Sequence, residues 1–333
     1  MSWKSGSTFG EALLVEFCRT LNLDEHWRID IEHGFRWWPA DFAQSIWCEP
    51  GVYHHAQTVY RIHAETDVIR GKGRADAFEA ALEQAMDNTS MHALVFDAKR
   101  DMYCLHSSLY ATEENMQFLK RTCFAAAILQ LRDASQLSMQ LSRSLGAQPG
   151  TSGHPQHGLR SVADPQMSAA ERFFCPAGQG PSRWLDAPEW RETERMIERE
   201  AIAFSSDHRS CANSVFPWTA TEAGDGVHVV VDASEPHPTL GSGLHFTLTV
   251  PFEFSLEDAS HQALLLNQNE RDQWHKCHML GSWSCHEGKL AFRMFIPNVL
   301  YRPELLPNFM LEMANRAIWV NEHYSARGFA RPE

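Results

Sequence analysis

The sequence predicts an α+β fold made by tandem duplication of an αβββαββα unit, with antiparallel sheets packed against helices. Three observations predict it. The same order of helix-like and strand-like runs occurs over about Ser7 to Arg143 and again from about Trp184 to the C-terminus. A Gly/Pro/Ser/His-rich stretch without sustained periodicity separates the two copies. The chain has 333 residues, 44% hydrophobic and 21% charged, enough for two ordinary cores. The expected domains are residues 1–145, a linker at 146–183, and residues 184–333.

In the first copy, Leu13, Leu14, Phe17 and Leu21 recur at helical spacing between Phe9 and Leu23, with Ser7 or Thr8 as cap and Glu11 following. Phe35 to Trp38 and Phe42 to Cys48 read as aromatic-rich strands, broken by Pro39 and by Pro50-Gly51. Gln57 to Thr66 alternates Tyr60, Ile62 and Ala64 against Arg61, His63 and Glu65, the pattern of a strand with one wet face. Arg74 to Met86 reads as a helix, and His92 to Phe96 with Met102 to Ser107 as a hairpin. A long helix follows from Glu113 to Leu145. The linker is expected to be mobile over Gly150 to Gly158, with His154 and His157 in a solvated spacer.

In the second copy Pro188 starts a helix expected to reach Phe204. Val227 to Val231 and Leu244 to Val250 read as strands, and Leu256 to Gln268 as the middle helix with Ser255 as cap. Leu280 to Cys285 and Lys289 to Ile296 form the hairpin, closed by Pro297. Glu304 to Tyr324 is the last helix.

A net charge of -13 argues against a nucleic-acid or anionic-membrane surface, because both need clustered Lys and Arg. No apolar run approaches the roughly 18 residues of a membrane span, and the N-terminus has no signal-peptide pattern. The eight cysteines form no CxxC pair, so reduced thiols in the cytoplasm are expected.

The chemistry-bearing motifs are few. His275, Cys277, His278 and Cys285 are ligand types that suit zinc, but their spacing matches no finger or ribbon, and no metal or other cofactor is expected. His54 and His55 are adjacent, so on a strand they point to opposite faces. Leu240-Gly-Ser-Gly-Leu244 is a turn rather than a nucleophile elbow, and Gly71-Lys-Gly73 is too short for a P-loop. No catalytic residue is assigned. Adjacent Trp37 and Trp38 must face opposite sides of a strand, so one ring is expected at a surface as a partner anchor. Tyr60, Phe295 and Asn298 join them as candidate partner-binding residues.

In the second copy Leu264-Leu-Leu-Asn267 precedes Gly281-Ser-Trp-Ser-Cys285. Then Gly288-Lys-Leu-Ala-Phe-Arg-Met-Phe-Ile-Pro-Asn298 leads to a helix near Glu304. This pattern resembles YbjN-like proteins and, in its order of elements, the class I type III secretion chaperones. The resemblance covers most of residues 188–324 and only the outline of 7–143, where Met102 to Ser108 lacks the Pro-Asn exit. It implies non-catalytic work in which partners are held by sheet edges and apolar patches. The secretion chaperones are homodimers, so one chain with two copies is expected to be a monomer with pseudo-dimeric halves. The expected function is a non-catalytic cytoplasmic module for a protein or peptide partner, chaperone-like or regulatory. The alternative is a small-ligand-binding protein or enzyme with a pocket between the copies, lined for instance by His63, His245, Arg61 and Glu65.

Overall fold

The computed structural model describes residues 3–6, 8–54, 56–71, 90–173, 180–218, 226–273, 277–286 and 289–326. They fall into two units. The first comprises Met1–Phe173 with His278–Leu280, and the second Phe174–Cys277 with Gly281–Glu333. The class is α+β, as the sequence predicts.

In the first unit Thr8 opens α1 (Phe9–Leu21) with a capping box: the Glu11 amide donates to its hydroxyl, and its own amide donates to the Glu11 carboxylate. Strands β1 (Arg28–Ile31), β2 (Gly34–Trp37), β3 (Gln44–Cys48) and β5 (Gln57–Arg70) form an antiparallel meander. Strands β6 (Ala93–Asp97) and β7 (Met102–Ala111) complete the sheet in the order β1-β2-β3-β5-β7-β6, and the short β4 (Val52–His54) also pairs with β5. The meander therefore has one strand more than the sequence reading counted. The unread strand is β1, a four-residue edge whose Arg-Ile-Asp-Ile pattern is too short and too charged to signal burial. Gly34 is required where β2 meets β3, because a Cβ there would lie 2.1 Å from the Ile46 carbonyl oxygen. The middle helix expected over Arg74–Met86 lies outside the described residues, as does His55.

The long helix α2 (Met116–Leu145) packs on one face of this sheet through polar as well as apolar groups. Trp37 Nε1 donates to Gln44 Oε1, and Gln44 Nε2 donates to Thr66 Oγ1 and to the Ala127 carbonyl. Thr66 Oγ1 donates to Gln130 Oε1. Gln130 Nε2 reaches the Ala64 carbonyl and Ser107 Oγ, which donates to the Met91 carbonyl. Every member is buried, so the chain fixes the height of α2 on the sheet.

The stretch read as a linker is instead built into the first unit as far as Phe173. Strand β8 (Gln148–Pro149) pairs with the end of β5. The Gly150 amide donates to the Val68 carbonyl at 2.7 Å, and the Ser152 amide to the Asp41 carbonyl at 2.8 Å. Helix α3 (Pro165–Phe173) is tied back through Gln166 Nε2 to the Leu21 carbonyl at 2.6 Å. Backbone bonds hold this segment in place of an apolar face, so its sequence carries no hydrophobic period. A His-Pro-x-x-Gly turn lies in it. His154 and Gly158 exchange both backbone bonds, and the imidazole Nδ1 accepts from the Gln156 and His157 amides. The second unit repeats the turn at His237 to Gly241, with Gly158 and Gly241 at φ 71° and 72°.

The second unit holds α4 (Glu189–Ile197), β9 (Ala203–Ser206), β10 (Cys211–Pro217), β11 (Gly226–Asp232) and β12 (Gly243–Glu253). Helix α5 (Leu256–Asp272), strands β13 (Ser282–His286) and β14 (Lys289–Pro297), and helix α6 (Leu305–Ala326) follow. Its sheet runs β9-β10-β11-β12-β14-β13, the strand order of the first unit. The sequence reading carried α4 on to Phe204. The helix ends at Ile197, and the Ile202 amide already donates to the Val215 carbonyl at the sheet edge.

The Leu-Asn and Pro-Asn motifs both have structural work here. Asn267 on α5 presents its amide to edge strand β13, where Oδ1 accepts from the Trp283 amide at 2.8 Å and Nδ2 donates to the Trp283 carbonyl at 3.1 Å. That side chain stands in for a further strand. Beside it, Glu270 accepts from Trp283 Nε1 at 2.6 Å and pairs with Arg316 on α6 at 2.9 and 2.8 Å, locking two helices to the hairpin. Replacement of Asn267 by Leu leaves the Trp283 amide without its acceptor and the Trp283 carbonyl with only the Ser282 hydroxyl. Urea denaturation of Asn267→Leu is expected to show a loss of about 2–4 kcal/mol, and a change below about 0.5 kcal/mol would contradict this role.

Candidate functional site

Alternation along β5 puts Ile62, Ala64 and Thr66 towards α2, and Arg61, His63, Glu65 and Asp67 on the opposite face. The strand register sets Trp47 beside His63, with Ser108, His106 and Cys104 opposite His63, Glu65 and Asp67. The sequence reading took this face for a wet one. It is buried: Arg61, His63, Glu65, Asp67 and His106 are each 0–3% exposed. An isolated charge in such a place is prohibitively costly, so the arrangement is governed by pairing.

Arg100, in the turn between β6 and β7, joins three carboxylates. Its Nε donates to Asp97 at 2.6 Å, Nη1 to Asp67 Oδ1 at 2.5 Å, and Nη2 to Glu65 Oε1. Arg36 on β2 takes the second oxygen of Asp67 at 2.5 Å. The other oxygen of Glu65 meets His106 Nδ1 at 3.3 Å, His106 Nε2 meets His63 Nδ1 at 3.3 Å, and His63 Nε2 meets Glu49 Oε1 at 2.9 Å. Trp47 stacks on the His63 ring at 4.6 Å with 3° between planes. Arg61 donates to Ser108 Oγ at 3.1 and 3.3 Å and lies 3.7 Å from Glu49 Oε1. A continuous polar line thus runs from Glu49, whose side chain is 39% exposed, to Arg36 at the other end.

Burial dominates the titration of this line. It pushes His63 down to about 3, against the Glu49 carboxylate that favours its charged form. It raises Asp67 despite the attraction of Arg36 and Arg100. At Glu49 burial also acts upward, but the His63 hydrogen bond and the charges of His63 and Arg61 outweigh it and hold the carboxyl below its ordinary value.

Of the residues expected to anchor a partner, neither tryptophan reaches the surface. Trp37 is 0% and Trp38 2% exposed. They do face opposite sides, but the side taken for solvent is covered by the 148–160 segment. Trp38 Nε1 donates to Ser152 Oγ, and its ring meets His154 edge-on at 4.8 Å. Tyr60 is half-buried against Phe9, with ring centroids 5.9 Å apart. Phe295 is buried between His237 and His245, at 4.8 and 4.5 Å. Asn298 accepts from the Arg183 amide and donates to the Pro181 carbonyl, which secures the chain entering the second unit's core.

His63, Arg61 and Glu65 belong to the first unit's array, whereas His245 lies in the second unit. Cys277 is buried with its thiol pushed up by desolvation, and His278 Nδ1 accepts from the Tyr110 amide. His275 lies outside the described residues. Among the described residues no group of three or more His, Cys, Asp or Glu side chains is placed to hold a metal ion. The sequence reading missed Glu49, Asp67, Asp97, Arg36, Arg100 and His106. The available signal was the Arg-x-His-x-Glu-x-Asp row at four successive same-face positions of one strand, matched by Cys104-x-His106-x-Ser108.

No family model, curated protein or solved structure matches the chain.

Arg100→Met strips Asp97, Asp67 and Glu65 of a shared cation, and denaturant unfolding is expected to register a loss of about 3–5 kcal/mol. A loss under about 1 kcal/mol would show the pairing to be dispensable. His63 supplies a pH dependence of known sign. Its folded value lies below the unfolded one, so its contribution is complete above about 6.5 and is lost progressively as pH falls towards about 3. Stability followed from pH 6.5 to 5 should fall by up to about 1.4 kcal/mol per pH unit from this group alone. The His63→Gln variant should lack that component, and an unchanged slope would contradict the assignment.

Proposed function

We propose that the chain is a non-catalytic protein-binding module, chaperone-like or regulatory, which acts in the cytoplasm on a protein or peptide partner. The observation that carries this reading is the second unit's sheet. Leu244, Phe246, Leu248 and Val250 of β12 are buried, and Phe246 meets Phe309 of α6 at 6.0 Å. The opposite face is buried at Phe295, Ala291, Ser282 and Ser284 but exposed towards β10 and β11. It presents Asn213, His228 and Val230 as exposed residues, with Val215, His245, Thr247, Thr249 and Arg293 half-buried among them. At the rim, edge strand β9 follows Ile202, which is 58% exposed, and Val230 is 37% exposed in the middle of the face.

An extended segment laid along β9 would gain main-chain hydrogen bonds from the edge and apolar contact from Ile202 and Val230. The first unit supports the same reading, because its ionisable side chains engage one another across the sheet. The resemblance to YbjN-like proteins and class I type III secretion chaperones is part of this proposal. No helix among the described residues is long and apolar enough to cross a membrane.

The test uses the full chain as bait in its native cytosol, followed by quantitative rebinding of the retained protein. Ile202→Lys and Val230→Lys should each weaken rebinding by roughly tenfold or more with an unchanged circular dichroism spectrum and melting profile. Undiminished rebinding by both variants would overturn the placement. The absence of any stoichiometric protein partner would overturn the function.

A further inference from the structure

We propose that the Glu49–His63–His106–Glu65 line holds one proton more than two neutral imidazoles carry, that His106 bears it as an imidazolium at neutral pH, and that the first unit is thereby a two-sided pH sensor. The argument is a count of hydrogens. Three contacts at hydrogen-bond distance join the four groups: Glu49 to His63, His63 to His106, and His106 to Glu65. Each contact needs one proton between its heavy atoms. Two neutral imidazoles supply one N–H each, and ionised carboxylates supply none. Three bonds less two protons leaves one to be added.

The neighbours decide where it sits. Glu65 is ionised, because its other oxygen takes Nη2 of Arg100. Its Oε2 therefore accepts, and His106 Nδ1 donates. Glu49 is half-exposed and lies beside Arg61, so it accepts from His63 Nε2. The one remaining choice is which ring owns the proton between His63 Nδ1 and His106 Nε2. Each ring lies against a carboxylate, but Glu49 is 39% exposed and shared with the Arg61 guanidinium, which acts against a charge on His63, whereas the Glu65 carboxylate beside His106 is buried. The charge belongs on His106, and His63 is the neutral Nε2–H tautomer.

The surrounding ionisable groups are fixed as well. Arg36 comes from β2 and Glu49 from the end of β3. Arg61, Glu65 and Asp67 come from β5, Asp97 and Arg100 from the β6–β7 turn, and Cys104 and Tyr110 from β7. His278 lies on the Tyr110 amide. Trp47 is within ring contact of both imidazoles, at 4.6 Å from His63 and 6.0 Å from His106.

The pH sense follows. An imidazolium kept in the folded state above its ordinary titration contributes stability that is complete below about pH 6.5 and is lost as pH rises through its folded value. His63 acts in the opposite direction on the acid side. The line therefore favours the folded unit most near pH 6.5, with about one proton released on unfolding above it and about one taken up below it. Such a device needs no exposed histidine, since protons enter through Glu49 at the surface end.

The test is ring-nitrogen magnetic resonance on the uniformly ¹⁵N-labelled full chain at pH 8. One imidazole should show both nitrogens protonated and be absent from His106→Gln. A second should be neutral with its proton on Nε2 and be absent from His63→Gln. Should either variant fail to fold, contacts of the two rings with Trp47 protons assign them in the native chain. In parallel, unfolding between pH 7.5 and 8.5 should release about one proton more from the native chain than from His106→Gln. A neutral His106 ring at pH 8, or equal proton release from both chains, would overturn the proposal.

Discussion

The first unit depends on one constraint: four ionisable side chains, Arg61, His63, Glu65 and Asp67, occupy successive same-face positions of β5 and none of them reaches water. A carboxylate or guanidinium taken out of water without a partner costs several kcal/mol. Each must therefore be met by an opposite charge or a hydrogen-bond partner from elsewhere in the chain. Arg36 fixes where β2 stands, Glu49 where the chain leaves β3, and Arg100 how the β6–β7 turn folds back. Small displacements are resisted because Arg100 serves three acceptors at once. A turn moved by an ångström would break the bonds to Asp67 and Glu65 on β5 together.

The second unit solves the same topology with its buried charge on the other side of the sheet. In both sheets the fourth strand in order is long and central, β5 in one and β12 in the other. On β12 the positions facing away from the helices carry His245, Thr247 and Thr249, all half-buried. The buried pair of Glu270 with Arg316 lies among the helices of this unit and shares Trp283 with the hairpin. It is bidentate, and the guanidinium sits 3.7 Å over the Phe292 ring. Duplicated topology therefore does not bring duplicated electrostatics. The strand order follows from the apolar alternation, which both copies keep, and the charges are free to differ.

That separation explains what the sequence could tell. The apolar periods of α1, α2, α5 and α6 and the alternation of β5, β11, β12 and β14 are local signals, and they place the elements in the right order. The edges β1 and β9 escaped because four residues with an exposed face offer no alternation to detect. The segment after α2 escaped because its order rests on backbone bonds to Val68 and Asp41, far away in the chain. Arg61, His63 and Glu65 were visible, but alternation with apolar residues is also the signature of a solvated face. Glu65 is paired by Arg100, 35 residues on, and Asp67 by Arg36 and Arg100, 31 and 33 residues away, and no local pattern reports such a contact. Trp37 and Trp38 were misplaced for the same reason, since Ser152 and His154 close over Trp38 from more than a hundred positions further on.

A row of buried charges is not an economical route to stability. Apolar residues of matching volume often stabilise a fold as well as a buried ion pair does, and they need no partner. The β5 row, however, differs from a set of independent pairs. Its members share ligands, so the protonation of any one alters the hydrogen-bonding duty of the next. Glu65 is common to Arg100 and His106, and Asp67 to Arg100 and Arg36. Glu49 is joined through His63, His106 and Glu65 to Arg100 in the β6–β7 turn, so a charge added or removed at the surface end would bear on the hydrogen bonds at the other. An apolar row would hold the same strands together, but it would carry no such signal across the sheet.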